Sequence, residues 1–395
     1  MKTRLILGTA LFAVTLGAVI YYPQLGAKSL ATDPIPLSQT AAPPRVDVVF
    51  VLDTTGSMSG LIQTAKDKIW SIATTMASAQ PSPEIRIGLV AYRDRGDAYV
   101  TRVVDLSADL DSVYATLMDF QADGGGDGPE SVNKALYDAV HDLSWSQDEK
   151  AYRTIFLVGD APPHMDYEEV RYPQIVALAR EKGIIVNTIQ CGNVPMTVEP
   201  WTQIAALSQG RYFRVEQAGG AVAFTTPYDE ALATLSAQLD DTRLYYGTTA
   251  QKARMQAKVA ATEKLHEGAS TASRARRGTF NASAAGRANL LGENELVAAV
   301  TSGELALDEL DADALPEPMK PMSPAEQQAF VASKAEERAD LERQIRELAD
   351  KRDGYLKEKV EEAGGLDSSL DRQLYDAVKA QAADAGFEYR SGPSY

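Results

Sequence analysis

Cysteine is nearly absent from the 395-residue chain, which has only Cys191. An intramolecular disulfide and a cysteine-rich zinc site are both excluded. Cys191 closes the apolar run Ile184–Gln190, which reads as a buried packing position and not as a reactive thiol. Positive charge is also scarce, with 39 Lys and Arg against 55 Asp and Glu and a formal net charge of -16. Holding a phosphate backbone requires clustered Lys and Arg, so nucleic acid is excluded as a partner. The one basic knot, Arg274-Ala275-Arg276-Arg277, is too short to change that. No internal repeat is visible. What remains is a 45% hydrophobic chain, long enough for two domains of ordinary size, whose acidity suits a protein that binds cations.

Lys2 and Arg4 precede an apolar run from Leu5 to Tyr22. A charged start before such a run reads as an export signal, and the run approaches the ~20 residues that span a bilayer. Residues 1–31 are therefore either a signal peptide, cleaved near Ser29-Leu30-Ala31, or a membrane anchor through residues 5–22. Both readings place the rest of the chain outside the cytoplasm of a bacterium-like cell: periplasmic, anchored to the inner membrane, or secreted. Residues 32–44, rich in Pro, Ala, Ser and Thr, read as a flexible linker.

From Arg45 to Asp240, strand and helix patterns alternate. Val46–Leu52 is almost purely apolar and β-branched, as in a strand buried on both faces. Ile85–Tyr92, Tyr99–Leu106, Thr154–Val158, Ile184–Gln190 and Arg211–Val215 also read as strands. Leu61–Ala79, Leu110–Phe120, Ser131–Leu143, Val170–Lys182, Pro200–Ser208 and Ala221–Leu239 read as helices. This predicts an α/β fold: a doubly wound, mostly parallel sheet covered on both faces, with Ile85–Tyr92 and Tyr99–Leu106 as one antiparallel edge hairpin. Asp94–Asp97, between those two strands, reads as a solvated turn. Sheets of this kind bind ligands at the carboxyl ends of their strands.

Beyond Asp240, alanine and charged residues dominate and the β-branched runs stop. Residues 241–322 read as an Ala-rich helical and irregular segment. Residues 323–395 read as a long helix and a C-terminal helix, the long one opened by Ser323-Pro324-Ala325-Glu326 and stopped at Gly364-Gly365. Leu341, Ile345, Leu348 and Tyr355 form a narrow stripe interrupted by Arg352, so the helix either folds against its neighbours or forms a coiled coil. The shift in composition predicts a tail separable from the first domain.

The first strand runs into Asp53-Thr54-Thr55-Gly56-Ser57-Met58-Ser59. A carboxylate and two hydroxyls, each two residues apart, leave a strand end on one short loop. Their oxygens can converge on a hard cation. Leu157-Val158-Gly159-Asp160 brings a second aspartate to a strand end, and Asp123-Gly124-Gly125-Gly126-Asp127-Gly128-Pro129-Glu130 supplies a glycine-rich loop between them. This ordered set resembles the von Willebrand factor A domain family, whose Asp-x-Ser-x-Ser signature forms a metal-ion-dependent adhesion site. Thr55 stands for the first Ser and keeps the hydroxyl. The resemblance implies such a domain over 45–240, an Mg²⁺ ion (or Mn²⁺ or Ca²⁺) held by Asp53, Thr55, Ser57 and Asp160, and a protein partner bound at the metal face. The family usually carries a Thr about six residues before the Leu of an Ala-Leu pair. Counting back from Leu136 gives Glu130, with Asp127 nearer the glycines, so either Asp127 or Glu130 is expected as the third-loop ligand. A carboxylate there favours a permanently held cation and weakens its pull on an acidic partner.

Three functions compete. The leading one is an exported, cation-dependent protein-binding module and not an enzyme. The second is an envelope structural protein whose metal only stabilises the fold. The third is an Mg²⁺-dependent phosphatase-like enzyme with Asp53 as nucleophile, since Asp-x-Thr-Gly-Ser also looks like the phosphorylated-aspartate loop of haloacid-dehalogenase-type phosphatases. That family's second acidic residue is missing, because the position four after Asp160 is His164. His164 reads as loop packing beside the site. His141 and His266 read as ordinary helical positions.

Overall fold

The apolar segment Arg45–Asp53 forms strand β1, and every residue after Arg45 is buried. Its side chains alternate between two cores: Val46, Val48, Phe50 and Leu52 enter one, Val49 and Val51 the other. Five further strands flank it in the computed structural model, which describes residues 43–60, 62–126, 128–215, 225–362, 369–389 and 392. They are β2 (Glu84–Tyr92), β3 (Thr101–Ser107), β4 (Tyr152–Gly159), β5 (Ile184–Cys191) and β6 (Tyr212–Val215). The sheet order is β3-β2-β1-β4-β5-β6. All neighbours run parallel except β2 and β3, the expected antiparallel edge pair. The strand order reverses between β1 and β4, so the crevice outside their carboxyl ends lies at the topological switch point. The expected export segment, 1–31, lies outside the described residues. Among the described residues, no helix is long and apolar enough to cross a membrane.

Helices α1 (Ile62–Ala77) and α2 (Leu110–Met118) cover the first face, through Ile69, Trp70, Val113 and Tyr114. Helices α3 (Val132–His141), α4 (Tyr172–Glu181) and α5 (Pro195–Leu207) cover the second, through Leu136, Val176 and Trp201. Helix α5 starts five residues before the expected Pro200, because Pro195 takes its first turn and the chain tolerates Pro200 inside it.

The remaining helices are α6 (Asp229–Asp240), α7 (Thr249–Gly268), α8 (Thr271–Asn281), α9 (Arg287–Leu291), α10 (Leu296–Thr301), α11 (Pro324–Glu362) and α12 (Leu370–Ala382). They form two buried clusters of their own, one around Leu232, Leu290 and Ile345 and one around Leu296, Met319 and Val331, but they also complete the core of the sheet. Leu265, Phe280, Leu374, Tyr375 and Val378 belong to the same buried cluster as Val48 and Phe50. The Trp70 ring lies 5.5 Å from Tyr114 and 5.8 Å from Phe280. Ala79–Gln80 pairs antiparallel with Glu388–Tyr389. The change in composition at Asp240 is therefore not a break in packing.

The tail is also tied down by buried charge. Arg277, fully buried, donates to both oxygens of Asp111 at 2.7 and 2.6 Å and to both oxygens of Asp240 at 2.7 and 3.0 Å. The basic knot thus faces inward, its Arg276 also buried. Helix α11 folds against α6, α8 and α10. Arg352, which interrupts its apolar stripe, is buried and donates to Asp229 at 2.7 Å.

Candidate metal centre

The loop after β1 leaves the sheet under tight control. The Thr54 amide and hydroxyl both donate to the Tyr92 carbonyl at 2.9 Å, which binds the loop to the neighbouring strand end. The Thr55 amide and hydroxyl donate to Asp53 Oδ1 at 2.8 and 2.7 Å. The Thr55 and Ser57 hydroxyls lie 3.1 Å apart, and Ser57 Oγ donates to Asp160 Oδ1 at 3.0 Å. The four residues read from the first and fourth strands are thus one hydrogen-bonded chain, Asp53–Thr55–Ser57–Asp160.

The glycine-rich loop closes over this chain. The Gly56 amide donates to the Gly124 carbonyl at 3.1 Å, and the Asp123 amide to the Thr54 carbonyl at 3.1 Å. Gly124 and Gly125 both hold φ of +79°, a conformation that side chains disfavour. The end of the loop is bound to the loop after β4: the Glu130 amide donates to the Pro162 carbonyl at 2.9 Å and the His164 amide to the Glu130 carbonyl at 3.1 Å. This brings the Glu130 carboxyl beside Gly125 and Thr55. A methyl group on Gly125 would lie 3.2 Å from Glu130 Oε1 and 3.4 Å from Thr55 Cβ. Asp127, the other expected third-loop ligand, lies outside the described residues.

Thr55, Ser57, Glu130 and Asp160 line an open cleft, with Val194 at its edge. Asp53 sits beneath them, fully buried. Among the described residues, neither Asp53 Oδ2 nor Glu130 Oε2 has a hydrogen-bond partner, and the buried Tyr92 hydroxyl beside them has none either. Burial, only partly offset by the two Thr55 hydrogen bonds, pushes the Asp53 carboxyl up to about 7. Burial, with the charges of Asp53, Asp94, Asp97 and Asp160, pushes Glu130 up to about 9. Burial raises Asp160 too, against its Ser57 hydrogen bond. Three carboxyls in one desolvated place, two with an unsatisfied oxygen, are costly unless a positive charge joins them. The donors are all oxygens, the set that hard divalent cations prefer. Among the described residues no three His, Cys, Asp or Glu side chains gather closely enough to hold an ion alone. A cation here would therefore depend on the Thr55 and Ser57 hydroxyls and on retained water, as Mg²⁺ does.

One expectation fails in part at this site. Asp94–Asp97 is only partly a solvated turn: Arg95 and Gly96 are exposed at its tip, but Asp94 is buried, as is Arg93 before it. Asp94 accepts hydrogen bonds from Ser131 Oγ at 2.9 Å and from the Tyr167 hydroxyl at 2.9 Å. Asp97 accepts the Gly125 amide on both oxygens, at 3.1 and 3.0 Å, and so latches the glycine loop. His164 is buried, stacked on Tyr167 at 3.8 Å, with Nδ1 2.8 Å from Asp166 and Nε2 3.3 Å from Asp94. These groups buttress the site from behind. The available signal was position, since Asp94 and Asp97 follow β2 at the same sheet end as Asp53. His141 is exposed and stacks on Tyr137, and His266 Nε2 lies 2.8 Å from Asp240 Oδ2. Cys191 is buried and its thiol is pushed up to about 12, chiefly by burial.

The family model for the von Willebrand factor A domain matches residues 47–227, a span that holds every residue of this site and all of the sheet but its first two residues. Residues 47–227 belong to the von Willebrand factor A domain family. Two curated proteins similar to this chain are an alpha-protein kinase vwkA of Dictyostelium discoideum, 27% identical over 121 residues, and a putative ariadne-like RING finger protein R811 of Acanthamoeba polyphaga mimivirus, 28% identical over 122 residues. Each match covers 30% of this chain, but only 19% and 11% of the respective relative. Among solved structures, the conserved hypothetical protein BatB from Bacteroides thetaiotaomicron is 17% identical with a TM-score of 0.34, covering 55% of this chain and 99% of that one. Proximal thread matrix protein 1 of the mussel byssus, solved with a zinc-occupied metal-ion-dependent adhesion site motif, is 14% identical with a TM-score of 0.34, covering 44% and 42%.

Proposed function

We propose that this von Willebrand factor A domain is an exported protein-binding module that works with a divalent cation, Mg²⁺ first and Mn²⁺ or Ca²⁺ as alternatives, and that it is not an enzyme. The observation that carries the reading is the pair of buried carboxylate oxygens, Asp53 Oδ2 and Glu130 Oε2, left unpartnered beside the Thr55 and Ser57 hydroxyls. Thr55, Ser57, Glu130 and Asp160 would hold the ion, and Asp53 would orient Thr55 and add charge from below. When bound, the ion supplies a positive centre open to a partner's oxygen. The charged start and apolar run of residues 2–22 support export. A phosphatase role for Asp53 is disfavoured, because a nucleophile must reach a phosphorus atom and Asp53 is fully buried with Oδ1 engaged by Thr55. Titration calorimetry with MgCl₂ tests the reading. The full chain should give a saturable heat that Asp53→Ala and Asp160→Ala abolish, and equal heats in all three proteins would defeat the site.

A further inference from the structure

The cation site carries three carboxyls, Asp53, Glu130 and Asp160, against the two charges of one divalent ion. The occupied centre would keep formal negative charge, so it has little to offer an incoming carboxylate. The surface around it has the same sign. Asp123 and Asp166 expose 83% and 75% of their side chains, and Glu168 and Glu199 are exposed as well. Of the nearby bases, Arg171 is exposed beside Val170, whereas Arg93 and Arg95 are engaged. Arg93 is buried under Tyr99 and donates to the Gln121 carbonyl at 2.7 Å, and Arg95 lies over the Tyr167 ring and pairs with Glu169 at 2.9 Å.

The same face is also unusually apolar. Six large hydrophobic side chains are exposed among the described residues, and four of them follow β4 and β5: Met165 and Val170 on the loop after β4, Val194 just before α5 and Met196 in its first turn. Met196 is 69% exposed, and Val194 also edges the cation cleft. Scattered surface hydrophobics need no explanation, but a concentration on the two segments that follow β4 and β5, one of them edging the charged cleft at Val194, marks an interaction surface. Methionine suits such a surface because its side chain adapts to the shape it meets.

Resting on the cation-dependent reading above, we infer that the partner presents a segment of basic and apolar side chains, Lys or Arg beside Leu or Met, and not an acidic residue aimed at the metal. Its basic groups meet Asp123, Asp166, Glu168 and Glu199, and its apolar groups cover Met196 and Val194. The cation receives at most a neutral carbonyl or hydroxyl oxygen. An anionic membrane surface has the wrong sign for this face and is disfavoured on the same charges.

The test uses the full chain saturated with MgCl₂ and two labelled synthetic peptides of equal length, one alternating Lys with Leu and Met, the other with Glu in place of every Lys. Fluorescence anisotropy should detect binding of the basic peptide that weakens as salt rises. Glu168→Gln and Glu199→Gln should each weaken it roughly two- to five-fold. Met196→Ser with Val194→Ser should weaken it with its salt dependence unchanged. All four side chains are exposed, so none of these changes threatens the fold. Equal binding of both peptides, preference for the acidic one, or indifference of the basic peptide to all four substitutions overturns the inference. Mg²⁺ heat in the same samples separates the two readings: heat with the wrong peptide preference removes this inference alone, whereas absent heat removes the cation site and leaves the charge preference to be judged on the peptides.

Discussion

Gly159 packs directly against Asp53. A methyl group at position 159 would lie 2.9 Å from Asp53 Cβ, 3.0 Å from its Oδ2, and 2.5 Å from the Tyr92 hydroxyl. The last residue of β4 has to be a glycine because the buried carboxylate and phenol at the ends of β1 and β2 occupy the space. Gly159→Ala should cost about 1–3 kcal/mol through overpacking. It should also weaken Mg²⁺ binding, since Asp53 is what holds Thr55. Thermal unfolding and calorimetry on one sample measure both. A loss of stability with untouched affinity would separate Asp53 from the cation.

Cation binding should expel protons. In the metal-free protein the Glu130 carboxyl, raised to about 9, is protonated at pH 7, and Asp53, raised to about 7, is about half protonated. A bound cation favours both ions, so the heat of Mg²⁺ binding at pH 7 should vary with the ionisation enthalpy of the buffer, corresponding to release of roughly one proton or more. The stability of chelated protein carries the same sign. A carboxyl raised on folding binds more protons folded than unfolded, so chelated protein should lose stability as pH rises from about 4 towards 9. Saturating Mg²⁺ should flatten that slope, and Glu130→Gln should flatten it without metal.

The Arg277 cluster predicts the opposite dependence at the acid end. Burial alone would raise Asp111 and Asp240, but the Arg277 guanidinium between them outweighs it and holds both below the usual carboxylate range. Their contribution is present above the unfolded value near 4 and is lost as pH falls through the depressed folded values. Arg277→Met leaves two buried carboxylates without their counter-charge and should cost about 3–5 kcal/mol near neutral pH. The variant should lose less on acidification than the parent. Parallel melting curves between pH 7 and 3 for the two proteins would refute the assignment.

A chain ending near Tyr246 should not behave as an independent domain. It would lack Phe280, Leu374, Tyr375 and Val378, which share a core with Val48 and Phe50. It would also strip Asp111 and Asp240 of their Arg277 counter-charge. Aggregation, or broad unfolding with weak near-ultraviolet dichroism, is the expected result. A soluble fragment that melts as sharply as the full chain would show that the tail is dispensable.

The sheet was legible because its information is local. β1 announces itself by six apolar residues in the seven positions Val46–Leu52, broken only by Asp47, and Asp53 and Asp160 were placed at strand ends by counting from such runs. The failures all involve partners far away in sequence. Asp94 is buried because Ser131 and Tyr167, 37 and 73 positions later, come to it. Arg277 looks like a solvent-facing base until Asp111, 166 positions earlier, is seen beside it. Helix α12 offers only a short stripe, Leu374, Tyr375 and Val378, whose destination on the first face of the sheet is invisible from spacing alone. On the third loop, counting back from Leu136 led to Glu130, which lines the cleft, while Asp97, which holds the Gly125 amide, carried no such signal.

The ion pair between Lys68 on α1 and Asp371 at the start of α12 joins residues 303 positions apart. For a ribosome, that separation is a delay. β1 and α1 emerge early, yet the surface they share with α12 stays uncovered until some three hundred further residues have been made. At a typical ~5–20 residues per second this wait lasts tens of seconds. During that interval the nascent chain displays an aggregation-prone apolar wall, and contacts of such long range are slow to close even after release. Any machinery that carries this chain in an extended form would therefore meet it before its sheet has been sealed, and final folding would follow delivery of the last helix.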